Sequence, residues 1–185
     1  MNKIILASKS PRRKQLLEQA EITFEIITAD TDESYPSDLS VEQVPVFIAE
    51  QKAKAIAEFH PKEIILAADT IVTIDNFVIG KPKDREDAIN ILQQLSAKTH
   101  RVITGVAIVS ENHEESFYDI TEVEFHPLSD EQIEFYVDKY QPYDKAGAYA
   151  IQEWIGVVGI KKINGDFYNV MGLPVSRVVK ALQQF

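Results

Sequence analysis

Apolar positions along this chain recur in two rhythms, and the alternation between them sets out the expected elements. Ile4, Ile5 and Leu6 form a short apolar run that predicts a buried strand. Ser10 and Pro11 then mark a helix start, as N-cap and first helical position, with Leu16, Leu17 and Ala20 on the inner face. Residues 22–28 alternate through Ile22, Phe24 and Ile26 as a strand, and residues 29–39 form a polar loop. Ser40 and Gln43 resemble a capping box, followed at helical spacing by Val44, Phe47, Ile48, Ala55, Ile56 and Phe59, with Pro45 near the first turn. The apolar run over 63–68 predicts a buried strand ending at Asp69-Thr70, and Asp75-Asn76 between residues 71–74 and 77–79 predicts a two-residue hairpin.

Asp84 caps the next helix, which turns Ala88, Ile91, Leu92 and Leu95 inward. Residues 99–109 and 117–125 predict long strands joined by the acidic turn at 111–115. Ser129 opens a helix with Ile133, Tyr136, Val137 and Tyr140 inward, and Trp154 belongs to the core or its rim. Residues 155–163 predict a strand, 164–174 a turn with a small-residue exit, and 174–182 a closing helix. Strands alternating with helices, plus long hairpin strands, imply an α/β fold with a mixed sheet. No repeat or interdomain linker interrupts the pattern, so a single domain over residues 1–185 is expected.

Composition narrows the classes. With 45% hydrophobic and 26% charged residues the chain is ordinary for a globular protein, and no apolar run approaches membrane-spanning length. Met1, Asn2 and Lys3 lead straight into the first strand without the apolar core of a signal peptide. The absence of cysteine excludes disulfides and thiolate chemistry and fits a cytoplasmic protein. A formal net charge of −10 makes nucleic acid polymers and anionic membranes poor partners for the surface as a whole. A small polyanion could bind only where the few basic residues gather, so the position of each arginine and lysine matters more than their number.

Several positions break local rules. Arg12 and Arg13 stand in a helix first turn, where the backbone dipole favours acids; with Ser8, Ser10 and free N–H groups they would cradle a phosphate or carboxylate, or else be two solvated arginines. Lys52 leaves from the middle of an apolar stripe and must snorkel or meet an anion. Asp69 sits where open α/β sheets place ligands, although a strand-capping aspartate would look the same. Gly80-Lys81-Pro82 lacks the features of a Walker A loop, and Lys81 alone reads as a loop lysine. In the segment 142–152, Asp144, Lys145, Gly147 and Gln152 gather among small residues, and Gly147 marks a backbone that something approaches closely. His60, His100, His113 and His126 share no metal-ligand spacing.

Taken together, LASKSPRRKQLL, AADT, GKP, THRVITGVAI, YDKAGAYAIQ and NGDFYNVMGLP occur in the order seen in Maf proteins, and this resemblance spans nearly the whole chain. It implies an elongated mixed β-sheet with flanking helices and two lobes around a cleft, related to the inosine triphosphatase group. It further implies a cytoplasmic nucleoside triphosphate pyrophosphatase of the branch that acts on dTTP and UTP, with CTP or modified pyrimidine triphosphates as further substrates, and a homodimer. By the same resemblance Ser8, Arg12 and Arg13 bind phosphate, and Glu33, Lys52, Asp69 and Lys81 are catalytic. Thr70, Lys145 and Gln152 contact substrate, with Arg12, Thr70 and Gln152 at specificity positions. Glu33 and Asp69 would hold Mg²⁺ or Mn²⁺, and Asp69 is also the candidate for activating water. Two residues depart from the family pattern: Gln141 stands where glutamate is usual and Glu153 where glycine is usual. The family link to septum formation implies an alternative, a nucleotide-binding regulator of cell division acting without turnover.

Overall fold

The computed structural model describes residues 3–185; Met1 and Asn2, part of the leaderless opening expected from the sequence, lie outside the described residues. The sheet takes the strand order β2-β1-β3-β5-β6-β7, with β4 pairing β3. Its strands are β1 (Ile4–Leu6), β2 (Phe24–Ile26), β3 (Ile64–Ile74), β4 (Phe77–Ile79), β5 (Thr99–Val109), β6 (Glu114–Phe125) and β7 (Ile160–Asn164). The helices are α1 (Pro11–Gln19), α2 (Gln43–Ala57), α3 (Arg85–Leu95), α4 (Asp130–Tyr140), α5 (Trp154–Gly159), α6 (Phe167–Met171) and α7 (Val175–Leu182). Parallel pairs at β1 and antiparallel pairs at β4 and β7 make the sheet mixed, as the pattern of elements implies. The chain folds as two compact units. Unit one comprises Met1–Thr70, Thr104–Asp119 and Gly172–Phe185, and unit two Ile71–Ile103 and Ile120–Met171.

In unit one β1 lies parallel to both β2 and β3, with Ile5 opposite Glu25 on one side and Ile65 on the other. Helix α2 covers this sheet through Ala49, Ala53 and Ile56, which pack with Ile5, Ala7, Ile65, Ala67, Ala107 and Val109. Small residues on both surfaces let helix and sheet approach closely. A Cβ on Gly105 of β5 would fall 2.2 Å from the Pro45 carbonyl carbon, so the first turn of α2 rests against that strand's backbone. This closeness explains a stripe the periodicity misread: Ala49 and Ala53 are buried, whereas Phe59 is exposed. Enlarging Ala53 to leucine would overpack the layer at a cost of about 1–3 kcal/mol. Strand β2 is also shorter than expected, with Ile26 exposed and Ile27 packed against the core cluster.

Strand β3 does not end at Asp69. It continues to Ile74 because the hairpin with β4 pairs Val72 with Ile79 and Ile74 with Phe77. Asp75 and Asn76 take φ of 49° and 66°, the left-handed pair that a two-residue turn demands. The ladder with β1 covers only Ile64 to Leu66, and Ala7 N donates to Leu66 O at 2.8 Å. Asp69 therefore lies beyond the end of its parallel ladder with β1, inside a strand that runs on where a strand end was expected.

Unit two is built on capped helices. Asp84 accepts from Asp87 N at the start of α3, and Ser129 with Gln132 forms a complete capping box on α4. Ala88, Ile91, Leu92, Leu95, Ile133, Tyr136 and Val137 are buried, as their spacing predicts. The strand expected over 155–163 is a helix in its first half. Glu153 O accepts from Gly156 N and Val157 N, which starts α5, and Val157 is exposed rather than buried in a sheet. A short apolar run alone does not separate the two states. Residues 164–174, expected as a turn, contain α6. Trp154 is half-buried and meets Phe135 edge-on at 4.8 Å between centroids.

Candidate active site

The site in unit one begins with the turn between β1 and α1. Ser10 caps α1 by accepting from Arg13 N, and Ser10 N in turn donates to Ser8 Oγ at 3.2 Å. This geometry rolls Arg13 inward beside Leu16 and Leu17, where the sequence had left Arg12 and Arg13 equivalent. Arg13 is only 8% exposed, whereas Arg12 is half-buried. The Arg13 guanidinium donates in three directions: Nε to Gly172 O at 2.7 Å, Nη1 to Ser8 Oγ at 3.1 Å and Nη2 to Thr70 Oγ1 at 3.0 Å. Thr70 Oγ1 also pairs with Thr104 Oγ1 at 2.9 Å.

These acceptors are neutral oxygens, so they fix the guanidinium without cancelling its charge. Burial lowers the Arg13 pKa from its ordinary value, Asp69 opposes that shift, Arg12 adds to it, and Glu33 opposes it. Burial costs a lone cation several kcal/mol, so a fixed, partly desolvated arginine is poised to gain from an incoming anion.

One residue before Thr70, Asp69 turns to a second cation. Lys52, from the apolar face of α2, places Nζ 2.8 Å from Asp69 Oδ1 and 2.7 Å from Glu33 Oε1. The Lys52 and Asp69 side chains are 18% and 16% exposed, and that of Glu33 is 54% exposed. Of the two alternatives for Lys52, the stem is buried and the ammonium meets anions. Glu33 comes from the polar loop, held beside it by Asp32, whose carboxylate accepts from Ser34 N at 2.9 Å and Ser34 Oγ at 2.7 Å. Those hydrogen bonds lower the Asp32 pKa.

In unit two, Lys81 is exposed on the loop after β4, and Gln152 is exposed on the turn before α5. Lys145 is buried, with Nζ 2.8 Å from Asp144 Oδ1 and 3.8 Å from Glu153 Oε1. Glu153 Oε2 accepts from the Tyr136 hydroxyl, and that hydroxyl accepts from Ala150 N at 3.1 Å. Gly147, at φ 72°, donates from N to Gly80 O at 3.2 Å, tying the lysine loop to the loop that carries Lys81. What approaches Gly147 is Val72, 2.9 Å from where a Cβ would stand.

Five contributors escaped sequence reasoning: Gly172, Thr104, Tyr136, Glu153 as an ion-pair partner, and Ala150 through its N–H. Thr104 did carry a signal, as a polar residue inside the apolar run of β5, and it is fully buried. Among the described residues no group of three or more histidine, aspartate or glutamate side chains is gathered to hold a metal ion. The available donors are the carboxylates of Glu33 and Asp69. Their oxygens already converge on one cation, the Lys52 ammonium, and a pair of hard oxygens completed by phosphate is how Mg²⁺ is usually bound. The pair therefore fits a hard divalent ion shared with a phosphorylated ligand.

Fixed cations and a carboxylate pair on a mixed α/β sheet make a site suited to anions. The Maf-like protein family model matches residues 3–185, and the chain belongs to that family. It is 53% identical over 181 residues to the dTTP/UTP pyrophosphatase of Cytophaga hutchinsonii, covering 98% of this chain and 83% of that one. It is 47% identical over 185 residues to the dTTP/UTP pyrophosphatase of Bacillus cytotoxicus, covering 100% and 96% respectively. In fold it is similar to a HAM1 protein from Coxiella burnetii, with a TM-score of 0.52, 16% identity and full coverage of both chains. Among the described residues no helix is long and apolar enough to cross a membrane.

Proposed function

We propose that this chain hydrolyses dTTP and UTP between the α and β phosphates, releasing the nucleoside monophosphate and pyrophosphate. The observation that carries this reading is the junction at residues 69 and 70. Thr70 anchors a buried arginine, and its neighbour Asp69 pairs with Lys52 and, through it, Glu33. The names borne by relatives 53% and 47% identical supply the substrate class.

In this mechanism the transition state is stabilised mainly by positioned charge. Arg13, held by Ser8, Thr70 and the Gly172 carbonyl, meets phosphate oxygens without having to be ordered first. Arg12 and Lys52 add cationic donors, and the resemblance assigns Lys81, Lys145 and Gln152 of unit two to the nucleotide as well. Asp69 accepts the proton of the attacking water. Glu33 and Asp69 would hold Mg²⁺ or Mn²⁺, which supplies charge neutralisation at the phosphate oxygens when bound. Gln152 offers both a donor and an acceptor for the edge of a pyrimidine base. A cytoplasmic homodimer is the assembly proposed.

The test is Asp69→Asn, which keeps an oxygen for Lys52 but removes the base. Pyrophosphate release from dTTP and UTP with Mg²⁺ should fall by about three orders of magnitude with an unchanged circular dichroism spectrum. Turnover within a few fold of the parent would exclude Asp69 from the chemistry.

A further inference from the structure

The position that a divalent ion would share between Glu33 and Asp69 already holds a cation. Lys52 Nζ is 2.7 Å from Glu33 Oε1 and 2.8 Å from Asp69 Oδ1, both charge-assisted hydrogen-bond distances. An ion taking the same two oxygens at about 2.1 Å would occupy the space of that ammonium, and two cations so close repel strongly. Those two oxygens, Glu33 Oε1 and Asp69 Oδ1, can serve Lys52 or the metal, not both at once.

We infer that Lys52 acts as a resident counter-ion exchanged for the metal, and that the triphosphate drives the exchange by taking the ammonium onto its own oxygens. This rests on the proposed pyrophosphatase reading and deepens it. The metal alone must displace Lys52 into a half-buried position without an anion, so it binds weakly. With the nucleotide present, the displaced ammonium finds phosphate, and the two ligands bind as a coupled pair. Linkage makes the coupling reciprocal: the factor by which nucleotide tightens metal binding is the factor by which metal tightens nucleotide binding. The loop position of Glu33, more than half exposed, gives the carboxylate room to adjust, whereas Asp69 is fixed on β3.

Mn²⁺ binding followed by electron paramagnetic resonance tests this without turnover, with and without α,β-methylene-UTP as a non-hydrolysable nucleotide. In the parent protein Mn²⁺ alone should bind at least about tenfold more weakly than with the analogue. In Lys52→Met, which keeps the apolar stem and loses the charge, Mn²⁺ alone should bind at least about tenfold more tightly than to the parent, and the analogue should add less. Lys52→Gln serves the same purpose should the methionine variant fail to fold. Mn²⁺ affinity equal or weaker in both variants overturns the exchange while leaving the carboxylate pair as a metal site. Mn²⁺ bound by neither parent nor variants, with or without analogue, removes the metal site itself and the exchange with it.

Discussion

Arg13 Nε lies 2.7 Å from the carbonyl oxygen of Gly172, a contact across 159 positions of sequence that anchors α1 at its first turn. The same guanidinium reaches Ser8 and Thr70, so its planar fork is used on three sides at once. A lysine has the charge but not the fork. Arg13→Lys is expected to lower kcat/KM for dTTP by at least about a hundredfold and stability by about 2–4 kcal/mol, because a single ammonium cannot reach all three acceptors that the guanidinium holds. Urea unfolding and initial rates check both, and a variant that loses only charge-independent stability would place Arg13 outside the site.

Gly147 tests the lysine loop by backbone alone. Its φ of 72° and the 2.9 Å approach to Val72 both penalise a methyl group. Gly147→Ala should cost about 1–3 kcal/mol. Pairing it with Val72→Ala should restore part of that loss by relieving the contact, though not the backbone strain. A double-mutant cycle in urea reads the coupling.

Tyr136 is fully buried, yet its hydroxyl holds Ala150 N on one side and the Glu153 carboxylate on the other. Tyr136→Phe leaves both partners without that hydroxyl and should cost about 1–3 kcal/mol. It also frees Glu153 to approach Lys145 more closely, so KM for nucleotide should rise more than kcat falls. Steady-state kinetics at several dTTP concentrations separate the two effects.

His100 supplies a pH dependence with a definite sign. The ring is 1% exposed, Nε2 shares a hydrogen bond with Tyr149 Oη at 2.7 Å, and Nδ1 has no partner. Burial pushes its pKa from 6.5 down to about 4, while burial raises that of Tyr149. Between those two His100 values the unfolded chain binds the proton that the folded chain refuses, so stability falls as pH drops through this window. The loss should reach about 2 kcal/mol at pH 5 relative to pH 7.5. His100→Gln keeps a donor for Tyr149 and should remove that component, seen as a flatter difference in urea midpoints between the two pH values.

What was legible in the sequence was whatever a few neighbouring residues decide. Ser10-Pro11, Asp84 and Ser129 announce helices through their own side chains, and Asp75-Asn76 announces its hairpin. Lys52 stands out because a charge inside an apolar stripe must have a reason, and the reason is the carboxylate pair. The arginine pair is conspicuous, but its division of labour is not: only the packing of α1 decides that Arg13 turns in. Thr104 and Gly172 could not be paired with Thr70 and Arg13 from spacing, since the partners lie 34 and 159 positions apart. The apolar residues of 154–159 suit a strand as well as a helix, and the carbonyl of Glu153 decides for a helix turn.

The threading of the chain has a consequence for its making. Unit one is closed by the segment Gly172–Phe185, which follows all of unit two in sequence. During synthesis Arg13 emerges early, yet the carbonyl that locks it arrives 159 residues later. A nascent chain halted before that point carries the arginine without its latch, so ribosome-stalled or prematurely terminated products should fail to retain nucleotide even where their sheet has begun to form.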